Sequence, residues 1–250
     1  MPVIDDLITY AQHACTDQPV RDVRVGLHWT AVLGERLGLA ATQADESCCF
    51  AGDIQNAGSL HEMSQLGLID YLRSSRPLEA GVGMAALNGC LPLDEQRQVE
   101  LNARDLIVSR GRGRNVALVG HFAFTEAVRS AAGQLWVLEL DPTAGDLPAE
   151  RAPDLLPQAD VIGITAVTLL NRTFDNLAGL FPPHALVVML GPTTPLCPVL
   201  FDYGVDVLSG AVVTDAPHVL RLISQCSPLH GPAGLKRMTL ARAGKPGEIA

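Results

Sequence analysis

Four short turns in the second half of the sequence carry residue types that hold small ligands. The first is Val119-Gly120-His121-Phe122. A glycine there lets backbone N–H groups approach an anion, and the imidazole beside it can ligate a metal or move a proton near neutral pH. The second, Glu139-Leu140-Asp141-Pro142, offers carboxylates for ribose hydroxyls or a hard cation. The third runs from Thr165 to Thr173, where Asn171 and Thr173 have a plainer use as helix caps. The fourth, Gly191-Pro192-Thr193-Thr194-Pro195, sets two hydroxyls in a turn stiffened by proline, a loop suited to a carboxylate, phosphate or other oxyanion. The candidate ligand-binding residues are therefore Gly120, His121, Phe122, Glu139, Thr165, Asn171, Thr173, Gly191, Pro192, Thr193 and Thr194. Neither GxGxxG nor GxxxxGK followed by Ser or Thr occurs, so no motif supports NAD or ATP.

A second group of residues has metal-ligand chemistry. Glu46-Ser47-Cys48-Cys49 sets a carboxylate beside two thiols, and His61-Glu62 follows. Soft metals favour thiolate and imidazole, which makes Glu46, Cys48, His61 and His121 the candidate metal ligands. Adjacent cysteines point apart in extended backbone, so Cys48 and Cys49 do not chelate one ion together. Cys15 and Cys90 lie on apolar helical stripes and belong to the core, whereas Cys197 follows the Gly191–Pro195 turn and is better placed for function.

The elements that must position these residues follow from periodicity. From residue 115 onward, short β-branched runs recur at Val116–Val119, Leu135–Leu138, Val161–Ile164, Leu186–Leu190 and Val205–Leu208. Helical patterns at Phe124–Ala132, Asn171–Leu180, Pro198–Tyr203 and Pro217–Gln225 separate them, which predicts an α/β fold with a parallel sheet. Ligands bind such sheets outside the carboxyl ends of the strands, where the four turns fall. The first third is read as a smaller α+β unit: a helix over Val3–Cys15, three antiparallel strands between Val20 and Thr42, and helices over Leu60–Leu72 and Leu78–Cys90. Gln98–Arg110 reads as a connecting helix. The expected domains are 1–92, 97–228 and a basic tail, 229–250, with a docked strand near Leu235–Leu240.

Composition narrows the function classes. The 250 residues are 48% hydrophobic and 18% charged, enough to bury a core. A net charge of −9 argues against a generic nucleic-acid or membrane-surface binder. No apolar run approaches the ~18 residues of a membrane span. The first fifteen residues carry Asp5 and Asp6 and no basic stretch, unlike a secretory signal. A cytoplasmic protein with reduced cysteines is expected.

The ordered set Val119-Gly120-His121-Phe122, Asp160-Val161-Ile162 with Ile164-Thr165, Leu170-Asn171-Arg172-Thr173, Gly191-Pro192-Thr193-Thr194-Pro195-Leu196, and Gly204-Val205-Asp206 with Leu208-Ser209-Gly210 resembles the putative heavy-metal chelation domain family. Gly26, Trp29–Val32, Gly38-Leu39-Ala40 and Ala85-Ala86-Leu87-Asn88 resemble its companion domain. The resemblance implies a Rossmann-like parallel-sheet C-terminal domain packed on a smaller enolase-N-terminal-like α+β domain, with a site at their junction. Departures are Thr193 where serine is usual, Ala166 for a glycine after Thr165, and Arg172 for a glycine between Asn171 and Thr173. The function expected is binding of a transition-metal ion, a metal chelate or a small anionic ligand between the two domains. The alternative is an enzyme acting on a small anionic metabolite with His121 or Glu46 as acid–base group. A homodimer is the default assembly expected of a soluble chain.

Overall fold

A computed structural model describes residues 2–43, 54–93, 98, 99, 101–229 and 234–243. Helix α1 (Pro2–Ala14) buries Val3, Ile4, Leu7, Ile8 and Ala11, the one-sided stripe expected of a helix lying on a core. Each of its Leu and Ile side chains contributes about 1.5–3 kcal/mol by leaving water. Strands β1 (Asp22–Val25), β2 (Trp29–Leu33) and β3 (Leu37–Ala41) form an antiparallel meander in the order β1-β2-β3.

The helix expected over Leu60–Leu72 is instead broken into a turn at Leu60–Glu62, helix α2 (Gln65–Ile69) and a turn at Asp70–Arg73. Ser64 is extended, and its hydroxyl accepts the Gly67 N–H at 3.1 Å, so it starts a new helix rather than continuing one. Helix α3 (Pro77–Cys90) opens on proline at its first turn and is buried on nearly every side.

β2 and β3 read as continuous apolar runs because both faces of their sheet are covered. Val32 and Ala40 share a core with Ala85 and Ala86 of α3, while Ala31, Leu37 and Leu39 pack on a helix from the far end of the chain. Gly38 makes this approach possible, since a Cβ there would sit 2.0 Å from the Ala85 carbonyl oxygen.

The connecting helix expected over Gln98–Arg110 is shorter. Gln98–Val99 is strand β4, and α4 (Ala103–Arg110) starts behind Asn102, whose side chain accepts the Arg104 N–H at 3.1 Å. Then follow β5 (Asn115–Val119), α5 (Thr125–Ala131), β6 (Gln134–Glu139), β7 (Leu147–Pro148), α6 (Ala152–Leu155), β8 (Val161–Thr165), α7 (Val167–Leu170), α8 (Phe174–Ala178), β9 (Leu186–Leu190), α9 (Val199–Asp202), β10 (Val207–Val213), α10 (Ala216–Ser224) and β11 (Leu235–Ala241). The helix expected over Asn171–Leu180 is shorter, α8 alone, and the separate helix α7 precedes it across Arg172, which adopts a φ of 64°.

Among the described residues these strands form one sheet in the order β4-β11-β10-β9-β8-β5-β6-β7. β10 through β7 pair in parallel, and β11 pairs antiparallel with both β10 and β4. The fold is thus mixed α/β, a large and mostly parallel sheet beside a small antiparallel one. The chain runs from β5 outward to β6 and β7, then returns to build β8, β9 and β10 on the other side. That reversal opens a crevice above the carboxyl ends of β5 and β8.

Candidate functional site

A cavity of about 480 Å³ lies at that reversal. Its floor is made by strand ends: Val119 closing β5 and Gly120 after it, Leu138 and Glu139 in β6, and Thr165 in β8. Gly120 has a φ of 104°, and a Cβ there would meet Thr165 Cγ2 at 2.9 Å, so glycine keeps this corner open. One wall comes from Ala149, Glu150, Ala152 and Pro153, and the other from Val167, Thr168, Asn171, Thr173, Asn176, Leu177 and Leu180. Gln43 is the contribution from the N-terminal segment. The lining is largely apolar, with amides, hydroxyls and the carboxylates of Glu139 and Glu150, and it holds no Lys, Arg or His among the described residues.

Of the candidate ligand-binding residues, Gly120, Glu139, Thr165, Asn171 and Thr173 line this cavity. Local bonds fix their positions. Thr165 Oγ1 accepts the Val167 N–H at 3.3 Å, and Thr168 Oγ1 donates to the Thr165 carbonyl at 2.7 Å. Asn171 Oδ1 accepts the Thr173 hydroxyl at 2.8 Å and its N–H at 3.2 Å. Thr173 precedes α8 but makes no side-chain cap bond.

His121 stands beside the cavity with 52% of its side chain exposed. Its N–H donates to Glu139 Oε1 at 2.6 Å, and its Nδ1 lies 3.3 Å from Asp146 Oδ1. The Asp146 side chain is only 2% exposed. The Thr143 hydroxyl, donating to Asp146 Oδ2 at 2.7 Å, holds this carboxyl below its ordinary value against the cost of burial, helped by the Thr143 N–H and by His121. Phe122 is outside the lining; its ring stacks on Phe124 at 5.2 Å, and its N–H donates to Thr125 Oγ1.

The Gly191–Thr194 loop lies apart from this cavity. Gly191, Pro192, Thr193 and Thr194 are absent from the cavity lining. Thr193 is 2% exposed, and its Oγ1 accepts the Ala41 N–H at 2.9 Å. Asn88 Nδ2 donates to the Thr193 carbonyl at 3.0 Å and to the Leu39 carbonyl at 2.8 Å. Thr194 is buried beside them. The loop therefore fastens the large sheet to the small one. Arg172 is a second fastening, donating to the carbonyls of Arg73 at 2.6 Å and of Ser74.

Among the metal candidates, Glu46 and Cys48 lie outside the described residues. His61 is exposed in the turn at Leu60–Glu62, remote in sequence from the cavity lining. Cys197 is fully buried, and burial pushes its thiol up to about 12, which makes it a packing residue rather than a reactive one. Among the described residues no three His, Cys, Asp or Glu side chains group as metal ligands.

Sequence reasoning missed Asp146, Glu150 and the wall from Asn176 to Leu180. Asp146 had one local signal, the Thr143-to-Asp146 spacing of a side-chain-closed turn. The others come together only through the tertiary fold.

Fold and crevice define a mixed α/β protein with a cavity at its strand reversal. The chain belongs to the family described as putative heavy-metal chelation: one pattern of that description matches residues 102–239 and a companion pattern matches residues 8–91. An uncharacterised protein of Methanocaldococcus jannaschii is 26% identical over 152 residues, which span 57% of this chain and 58% of that protein's length. Two crystal structures share the fold at 22% identity, both of DUF364 family proteins with unknown function. One, from Desulfitobacterium hafniense, has a TM-score of 0.79 over 96% of this chain and 97% of the other. The second, from Pyrococcus horikoshii, has a TM-score of 0.81 over 96% of this chain and 100% of the other. Among the described residues no helix is long and apolar enough to cross a membrane.

Proposed function

We propose that the protein binds a metal as a chelate, a metal ion already held by a small organic ligand, in the crevice above β5, β6 and β8. The observation that carries this reading is the lining itself. Apolar side chains from Val119, Leu138, Val167, Leu177 and Leu180 suit an organic framework, and Glu139 and Glu150 add negative charge with no cation to offset it. A free oxyanion would meet those carboxylates uncompensated. A bare ion needs several converging ligands, and the described residues group no three. A complex that brings its own ligand shell, has an apolar face and carries no net negative charge fits both facts and the family to which the chain belongs.

Calorimetric titration of untagged protein with the 1:1 nickel(II)–bipyridine complex tests this. Binding is expected for the complex and not for bipyridine alone or inorganic phosphate. Asn176→Trp, placed on an exposed lining residue, is expected to block it. Failure to bind the complex, tighter binding of phosphate, or an unaffected Trp variant would overturn the reading.

An enzyme acting on a small metabolite is the second reading, favoured by the His121–Asp146 approach beside Glu139. Consumption of a bound metabolite by the wild type and not by His121→Gln would select it.

A further inference from the structure

We infer that Asp146 fixes His121 in the tautomer that carries its proton on Nδ1, so that a bare Nε2 is presented at the mouth of the crevice to take the metal of an incoming chelate. The second half of this statement rests on the proposed function; the first half does not.

The starting point is the carboxylate of Asp146. Its Oδ2 is occupied by the Thr143 hydroxyl and N–H. Its Oδ1 is buried, and among the described residues no conventional hydrogen bond reaches it. The atom that approaches it is His121 Nδ1, at 3.3 Å. Both donors of Thr143 go to Oδ2, so Oδ1 is the oxygen of this carboxylate that still has room to accept. Of the two neutral imidazole tautomers, the one with a proton on Nδ1 turns its positive end toward that oxygen. The other would set a lone pair against it.

Nε2 is then left without a proton. The backbone keeps the ring at this place, because the His121 N–H is held by Glu139, whose side chain lines the cavity as Gly120 does. Half of the His121 side chain remains open to solvent, whereas the Asp146 carboxylate beside it is almost wholly enclosed. A carboxylate that orients a histidine for a metal is a recurring outer-shell arrangement, and it raises the basicity of the ligating nitrogen. Imidazole suits borderline divalent cations such as Zn²⁺, Ni²⁺ and Co²⁺. With one imidazole and the nearby Glu139 carboxylate, the protein completes the coordination of an ion that already has ligands. In this arrangement His121 is the metal-touching residue and Asp146 is a positioning residue.

The tautomer is read without any ligand. Long-range ¹H–¹⁵N spectra of the metal-free, untagged chain, with the His121 signals assigned by comparison with His121→Gln, are expected to show Nδ1–H in the wild type. They are expected to show a shift toward Nε2–H in Asp146→Asn. Titration with nickel(II)–bipyridine is expected to weaken at least tenfold in His121→Gln and about ten- to a hundredfold in Asp146→Asn. A wild-type Nε2–H tautomer, or a tautomer unchanged in Asp146→Asn, overturns the inference. Binding that is lost in Asn176→Trp but unchanged in His121→Gln overturns the metal-ligating half and leaves the crevice reading intact. A wild type that binds no chelate overturns the crevice reading, and the spectra still decide the role of Asp146.

Discussion

Replacing Thr193 by valine tests the assignment of the Gly191–Thr194 loop to fastening rather than ligand binding. Valine keeps the shape and removes one acceptor, so the Ala41 N–H loses the partner it now has at 2.9 Å. A donor stranded beside a residue that is 2% exposed costs about 1–3 kcal/mol. For a chain of this size each kcal/mol moves Tm by about 2–4 °C, so a fall of roughly 2–12 °C is expected. Serine keeps the hydroxyl and loses one methyl group, about 1 kcal/mol, so stability alone separates the two variants poorly. Amide hydrogen exchange at Ala41 separates them cleanly: protection is expected to fall in Thr193→Val and to persist in Thr193→Ser. Chelate binding by the folded protein is expected to be unchanged in both. Unchanged Ala41 protection in the valine variant, or loss of binding in the serine variant, would refute the structural role of this loop.

Two further outcomes follow from the titrating groups. Burial pushes the Glu79 carboxyl up, but the Ser74 hydroxyl, the Gln55 N–H at 2.7 Å and Arg76 outweigh it and leave it below its ordinary value of 4.5. A depressed acid stabilises the fold fully above its unfolded value, and that stability is lost as pH falls through the folded one. Urea unfolding from pH 7 to pH 3 should therefore show the wild type's advantage over Glu79→Gln shrinking below about pH 4.5; an advantage that grows on acidification would contradict the assignment. Among Cys15, Cys90 and Cys197, timed alkylation followed by mass spectrometry should modify Cys15 first. Hydrogen bonding from Cys90 lowers the Cys15 thiol, with burial opposing and Arg36 assisting, whereas Cys197 is buried and raised. Faster labelling of Cys197 would refute this order.

Much of the frame is legible in the sequence because periodicity is a local property. The α1 stripe and the buried runs of β5, β8 and β9 announce themselves, and five candidate residues fall on the cavity because strand ends face one crevice in a parallel sheet. What the sequence leaves illegible has a common cause. Gly191-Pro192-Thr193-Thr194 has the composition of an anion loop, yet its hydrogen bonds go to residues about 105 and 152 positions away, which no local pattern reveals. The interruption at Arg172 likewise coincides with a φ of 64° and with side-chain bonds to the Arg73 and Ser74 carbonyls, which are about a hundred positions away. Asp146 escaped notice because its importance depends on the distance to His121 across a loop.

The small antiparallel sheet has a lasting consequence for how this chain can be divided. Its Ala31, Leu37 and Leu39 find their cover in Val219, Leu220 and Ile223 of α10, and Arg24 is tied to the Leu220 carbonyl and Ser224. A polypeptide severed near residue 93 would leave that half without a lid and wet an aliphatic surface meant to stay dry. Grafting either block alone onto another protein is therefore expected to invite clumping rather than a working module.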